Sequence, residues 1–283
     1  MRVGGLELAH PVLNASGTWD AEQSHRLFGE ANPGLAGFVT KTVTPEPRAG
    51  NPAPRIAMAA SGLLNSIGLP NVGRGAFLTD LLPFLQQHVH GPVICSVGGF
   101  SLHDYVETIV ALDGHPGCSA IELNVSCPNV ETGCASIGAD AGETERLVLA
   151  ARAATAKPLF AKLSASVSDI AEIAQAAEAG GADAVVCINT VKATVVDRAT
   201  GASRFGGGGG GLSGPAIRPV ALHAVLAVRA AVEIDIIGVG GVGSVDDALD
   251  LLAAGASAVA VGTALFRDPT LAQRIASGLS RAR

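Results

Sequence analysis

The sequence predicts an α/β protein: a single (β/α)8 barrel of the TIM type spanning residues 1–283, with long active-face loops after the second and sixth strands. Three observations predict it. Eight short apolar or β-branched runs recur along the chain, each ending in polar residues or glycine. Several are apolar without interruption, as parallel strands buried on both faces are. Alanine-rich segments with helical spacing lie between many of them. An open, doubly wound sheet is the alternative, and it lacks the GxGxxG that would follow its first strand.

The predicted strands are residues 11–15, 37–42, 93–97, 120–124, 159–163, 184–188, 235–239 and 258–261. A helix over 169–179 follows the fifth strand, with apolar residues at 170, 173, 174 and 177. A second, over 245–254, opens on Ser244 as N-cap with Asp247 three residues on. Gly180-Gly181 and Gly255 close these two helices. Two connections exceed an ordinary βα loop of about 2–6 residues. One, over 43–91, holds Thr44-Pro45-Glu46-Pro47-Arg48. The other, over 189–233, holds the glycines 206–211. Both leave C-terminal strand ends, so both should cover the active face; a flexible linker is the alternative for the glycine run.

Composition narrows the function classes. Apolar residues make up 48% and charged residues 16%, so much of the chain must be buried. The net charge of −6 and the lack of a dense basic run speak against nucleic-acid binding. Aromatics at 4% leave little for base stacking. No apolar stretch approaches the roughly 20 residues of a membrane span, and Met1-Arg2-Val3-Gly4-Gly5 begins no signal core. A cytoplasmic protein with no membrane partner is expected. The five cysteines, at 95, 118, 127, 134 and 187, make no CxxC pair. An odd count at irregular spacing suits reduced thiols and no metal site.

Asn124-Val125-Ser126-Cys127-Pro128-Asn129 is the most informative stretch. It begins where the fourth strand gives out, and its proline turns the backbone away from pairing. Cys127 is therefore expected on a loop at a strand's C-terminal end, where barrel enzymes keep their chemistry. Asn124 and Asn129 each offer an acceptor and a donor pair, suited to a neutral ring bearing C=O and N–H groups. A structural thiol in a turn is the other reading of Cys127.

The seventh strand ends in Gly238-Val239-Gly240-Gly241-Val242-Gly243-Ser244 and the eighth in Gly262-Thr263-Ala264. Loops in these two places form the recurrent phosphate site of this fold, and the helix after Ser244 adds a favourable dipole. Gly211-Leu212-Ser213-Gly214-Pro215 is a third candidate contact. Such a cup suits a phosphosugar or flavin mononucleotide. The other strand ends supply Asn14 and Ser16, Lys41 and Thr42, Lys162 and Ser164, and Asn189 and Thr190. No pair of carboxylates stands there for acid–base work. A lysine ending a buried strand either forms a structural ion pair or stabilises charge that develops on a reduced flavin.

These motifs resemble those of dihydroorotate dehydrogenases along nearly the whole chain, most closely the class 1B, NAD-linked catalytic subunits. The matching stretches are Asn14-Ala15-Ser16-Gly17, Lys41-Thr42-Val43-Thr44-Pro45-Glu46-Pro47-Arg48, Leu64-Asn65-Ser66-Ile67-Gly68-Leu69, residues 124–129, Ile188-Asn189-Thr190, residues 211–215, residues 238–241 and Gly262-Thr263. The resemblance implies an FMN enzyme oxidising (S)-dihydroorotate to orotate in de novo pyrimidine synthesis. It implies Cys127 as the base taking the C5 proton while the C6 hydride passes to flavin N5. Asn65, Asn124, Asn129 and Asn189 would hold the pyrimidine, helped by Gly68, Leu69 and Thr190, with Lys41 near the substrate carboxylate. Ser16, Lys41, Thr42, Asn124, Lys162, Ile188, Gly214, Gly240, Gly241, Gly262 and Thr263 would line the cofactor. It also implies a homodimer within a heterotetramer, whose second subunit carries FAD and [2Fe-2S] and passes electrons to NAD. The chain departs from the family pattern at Ala165-Ser166, where Pro-Asn is common, and in the extra thiol Cys134. Competing readings are a dihydropyrimidine or dihydrouracil dehydrogenase, a flavin-free phosphosugar isomerase or lyase, and a non-catalytic FMN-binding scaffold.

Overall fold

The computed structural model describes residues 1–125 and 137–282. In chain order its strands are β1 (Arg2–Val3), β2 (Leu6–Glu7), β3 (Val12–Asn14), β4 (Phe38–Val39), β5 (Ile56–Ala59), β6 (Gly62–Asn65), β7 (Val93–Val97), β8 (Ala120–Asn124), β9 (Leu159–Leu163), β10 (Ala184–Cys187), β11 (Val191–Ala193), β12 (Gly210–Ser213), β13 (Asp235–Val239) and β14 (Ala258–Val261). Eight of them form one parallel sheet in the order β3-β14-β13-β10-β9-β8-β7-β4, flanked by helices. This is the (β/α)8 barrel that the apolar runs predict. The predicted bounds of β7, β8, β9, β13 and β14 match, while β3 and β4 are shorter than expected.

Side-chain alternation builds two cores. Along β9, Leu159, Ala161 and Leu163 join the layer shared with the helices, whereas Phe160 packs in the barrel interior with Leu13, Val39, Ile94, Ala120, Val186 and Ile237. Lys162, two residues past Phe160, therefore points inward. By the same alternation β8 turns Ile121 and Leu123 outward and Ala120, Glu122 and Asn124 inward. The hairpin β1–β2, which apolar periodicity did not reveal, closes the barrel floor: Val3, Leu6 and Leu8 join the interior cluster, and Gly4 N–H donates to Asp235 at 2.7 Å.

The sheet order ends at β3 and β4, and a side chain bridges this seam. Asn14 Nδ2 donates to the carbonyl of Val39 at 2.8 Å, and Val39 N–H donates to Asn14 Oδ1 at 2.8 Å. The carboxamide thus takes the place of a backbone amide in the ladder. Ala36 N–H to Val12 O at 2.9 Å adds the rung below. Asn14 is fully buried and lies below the mouth to which the sequence assigned it.

The helices begin as their sequences direct. Asp20, Ser101, Asp140, Asp169 and Ser244 are N-caps whose side chains accept backbone N–H bonds in the first turn. The helices predicted over 169–179 and 245–254 are Ile170–Ala179 and Val245–Ala253.

The two long connections meet above the barrel's C-terminal end and form a second sheet, antiparallel, in the order β11-β12-β6-β5. The glycine run is part of this sheet rather than a linker. Ser66 Oγ donates to Gly209 O at 2.6 Å, and Gly210 and Gly211 belong to β12, facing Ala193 and Lys192 of β11. A side chain at Gly211 would collide with Thr190 Oγ1, and one at Gly207 with Asn51 Nδ2, so the close approach of these segments requires glycine.

The seam yields a prediction. Asn14→Ala leaves both the N–H and the C=O of Val39 buried without partners, at about 1–3 kcal/mol each. Asn14→Asp keeps the acceptor and loses the donor. Urea midpoints should fall in the order wild type, Asp, Ala, with Ala costing a few kcal/mol; equal midpoints would show that the seam does not need the side chain.

Candidate functional site

Between the barrel's C-terminal end and the antiparallel sheet lies a cavity of about 1320 Å³. Among the described residues, every one that the sequence singled out for substrate or cofactor lines it. The barrel supplies Ser16, Lys41, Thr42, Asn124, Lys162, Ile188, Asn189, Gly240, Gly241, Gly262 and Thr263. The long connections supply Asn65, Gly68, Leu69, Thr190 and Gly214. Cys127, Asn129 and Cys134 lie outside the described residues. The three described cysteines, 95, 118 and 187, are buried and free, and none lines the cavity. Burial pushes the Cys187 thiol up to about 12, leaving it inert near neutrality.

The inner wall is a field of amides and hydroxyls. Asn124 Nδ2 donates to Thr42 Oγ1 at 3.0 Å, and Asn189 Nδ2 approaches Asn124 Oδ1 at 3.5 Å. Tyr105, fully buried in the helix Leu102–Asp113, donates its hydroxyl to the Asn124 carbonyl at 2.9 Å and fixes the strand end. From the covering sheet, Asn65 Nδ2 donates to Gly211 O at 3.2 Å, which ties β6 to β12. Leu69 has φ of 54° and is the one non-glycine residue with positive φ among those described. Its carbonyl accepts from Asn71 Nδ2 at 2.9 Å, and its side chain is buried. A left-handed Leu that the surroundings hold this firmly marks a place where backbone geometry matters.

The glycine turns form the other end. Gly240 (φ 137°), Gly241 (φ 73°) and Gly214 (φ 86°) adopt conformations that side chains disfavour. With Gly262 and the helix opening at Ser244 they leave a shallow cup of backbone with little side-chain bulk. Thr263 Oγ1 donates to Ser213 Oγ at 2.7 Å, binding the cover to the end of β14. Acidic side chains near the cup are neutralised: Asp247 pairs with Arg218 at 2.7 Å and Asp268 with Arg274 at 2.5 Å. An anion at this end meets no free carboxylate among the described residues lining it.

The sequence reading missed several participants. Ser213, Arg218, Ile56 and Met58 also line the cavity; Ser213 stood in a singled-out motif, whereas the others carried no signal of their own. Glu122 lies just beneath. It is buried, and its Oε1 has no hydrogen-bond partner. Burial raises its pKa, while Lys162 and the Ser96 hydroxyl pull it back down. A lone acid at an inward position of an otherwise apolar strand was the available signal.

Comparison with known proteins places these features in a family. The family model described as Dihydroorotate dehydrogenase matches residues 1–282. A protein from Trichlorobacter lovleyi named "Dihydroorotate dehydrogenase B (NAD(+)), catalytic subunit" is 44% identical over 281 residues, covering 99% of this chain and 92% of that protein. A protein of the same name from Listeria monocytogenes has the same identity and coverage. Another, from Desulforudis audaxviator, is 44% identical over 279 residues, covering 99% of this chain and 90% of its own.

The position of Glu122 has a consequence for stability. Its raised pKa means that the native state holds the proton more tightly than the unfolded chain does. The resulting stabilisation is complete below the ordinary value of 4.5 and is lost as pH rises through the native value. Glu122→Gln removes that loss. Its melting temperature should match wild type at the acid end and exceed it increasingly toward about pH 9; a Gln variant melting below wild type throughout would show that the carboxylate stabilises the fold.

Proposed function

The chain belongs to the dihydroorotate dehydrogenase family and is an oxidoreductase, and from that premise we propose that it is the catalytic subunit of a class 1B enzyme, oxidising (S)-dihydroorotate to orotate with FMN in de novo pyrimidine synthesis. The observation that carries the proposal is the convergence on one cavity of three carboxamides, two lysines and a glycine cup. These residues fit FMN: the cup offers backbone donors to a phosphate, and the amide field offers paired donors and acceptors to a neutral ring. FMN, when bound, supplies the two-electron acceptor for the substrate's C6 hydrogen.

The chain's own residues do the rest. Gly214, Gly240, Gly241, Gly262 and Thr263 hold the phosphate end. Ser16, Thr42, Asn124 and Ile188 would line its ring, and Lys162 would place positive charge beside it. Asn65, Asn124, Asn129 and Asn189 orient the dihydropyrimidine, with Thr190 and the Gly68-Leu69 backbone beside them. Lys41 answers the substrate carboxylate. Cys127 takes the C5 proton. A free thiol has a pKa of about 8.5, so part of it is thiolate near neutrality. The antiparallel cover forms one wall of this cavity.

Relatives named as a catalytic subunit support a division of labour. A second subunit carrying FAD and [2Fe-2S] would take the electrons to NAD, in a heterotetramer built on a dimer of this cytoplasmic chain.

Protein reconstituted with FMN should bleach anaerobically on adding dihydroorotate and stay yellow with dihydrouracil. NAD reduction should require the second subunit. Bleaching by dihydrouracil alone, or by neither compound, would overturn the substrate assignment. Cys127→Ser should retain FMN yet slow bleaching at neutral pH by about 100-fold or more, the usual worth of a positioned base; a single-turnover trace at wild-type speed would remove Cys127 from that role.

A further inference from the structure

Glu122 is a charged group with no part in the chemistry above, and its setting is unusual. Register places it opposite Ser96 on β7 and Phe160 on β9. Lys162 stands two residues beyond Phe160, on the same inward face and diagonal to Glu122, and is buried. The group is closed off from water, yet a line of hydroxyls leads away from it. Ser96 Oγ lies 3.0 Å from Thr42 Oγ1, and Thr42 Oγ1 lies 3.4 Å from Ser16 Oγ and accepts from Asn124 at 3.0 Å. Ser16, Thr42 and Asn124 are cavity wall. The line therefore connects the buried carboxyl to the chamber where the ring would lie.

We propose that Glu122 is the proton-accepting positioning residue of the flavin half-reaction, taking up one proton through Ser96 and Thr42 whenever the cofactor above Lys162 is reduced. The inference rests on the flavin reading of the cavity. Charge balance gives the reason. Oxidation of the substrate delivers two electrons and one proton as hydride, which adds one negative charge to a chamber of low dielectric. One proton from solvent converts the Glu122 carboxylate to the neutral acid and restores the charge. Nothing else is oxidised or reduced, and reoxidation releases the proton.

Facing groups leave Glu122 this role. Its neighbours on β7 and β9 are a hydroxyl and a phenyl ring, and on β8 itself Ala120 and Asn124 flank it on the inward face. Lys162 is the charge acting on the carboxyl, opposed by the larger effect of burial. Burial favours the neutral acid while Lys162 favours the carboxylate, and a new negative charge nearby pushes the group toward the acid form. Unit charges about 12 Å apart at an effective dielectric of about 20 interact strongly enough for about a tenfold shift in the equilibrium.

The test is potentiometric. Wild type and Glu122→Gln are loaded with FMN, and flavin binding is scored first by absorbance and fluorescence; failure of wild type to bind flavin overturns the flavin reading itself. Midpoint potentials are then measured from about pH 5 to about pH 9. The two proteins should coincide at the acid end. At the alkaline end reduction should be favoured about tenfold in the Gln variant, or about 30 mV for a two-electron couple. Flavin-loaded proteins whose potentials run parallel or coincide across the range overturn the inference while leaving the flavin site intact. A reduced-minus-oxidised infrared spectrum of wild type tests the same point without a variant: a protonated-carboxyl band should grow on reduction, and its absence overturns the proposal.

Discussion

The barrel depends on the closure that Asn14 makes. A parallel sheet of eight strands is a barrel only if its first and last strands meet, and β3 and β4 are too short to meet by a full backbone ladder. The Asn14 carboxamide supplies the missing donor and acceptor to Val39. Everything at the mouth on this side follows. Ser16 stands two residues beyond Asn14, Lys41 two beyond Val39, and Ser16 Oγ donates across the join to Thr40 O at 2.8 Å. A seam held by a rigid planar amide fixes the spacing of the hydroxyls and the lysine on either side of it. A catalytic chamber needs that kind of fixed support beneath its contact residues.

The same alternation that buries the core brings polar groups into it. Every second residue of β8 and β9 faces the interior, so the strand ends cannot present Asn124 and Lys162 to the cavity without placing Glu122 one layer beneath. Burying a carboxyl and an ammonium costs free energy that a pair of apolar residues would not. Here the cost is partly offset by Lys162 and by the Ser96 hydroxyl. Burial and these two partners thus act on the carboxyl in opposite directions.

Legibility in the sequence follows the range of the forces involved. Strands β7, β8, β9, β13 and β14 were readable because continuous apolar runs reflect burial on both faces, which is a local signal. The glycine cup and the carboxamides were readable because a βα turn places them at one end of the barrel whatever the loops do. The covering sheet was not. Its strands are three or four residues long, and Asn65 pairs with Gly211 across 146 positions, so no window of sequence holds the pairing. The glycine run shows the limit most clearly: its composition fits a linker, while its contacts with Asn51, Ser66 and Thr190 show that it is glycine-rich because other atoms already fill the space. Asn14 and Glu122 were visible as residues but not as roles, since both act on neighbours brought near by barrel closure.

The cover also explains how this cavity can be enclosed and still admit a ligand. Its sheet is attached to the barrel through Thr263 and Ser213 on one side and through Lys192 N–H, which donates to Ser166 Oγ at 3.1 Å, on the other. Each loop pairs with itself, β5 with β6 and β11 with β12, and β6–β12 joins the two loops, which start from opposite walls of the barrel. Together they give a roof whose inner surface carries Asn65, Leu69 and Thr190 in a fixed relation to Asn124 and Asn189 below. Within the roof a side chain at Gly211 would collide with Thr190 and one at Gly210 with the Asn65 carbonyl, so β12 passes these residues only as glycine.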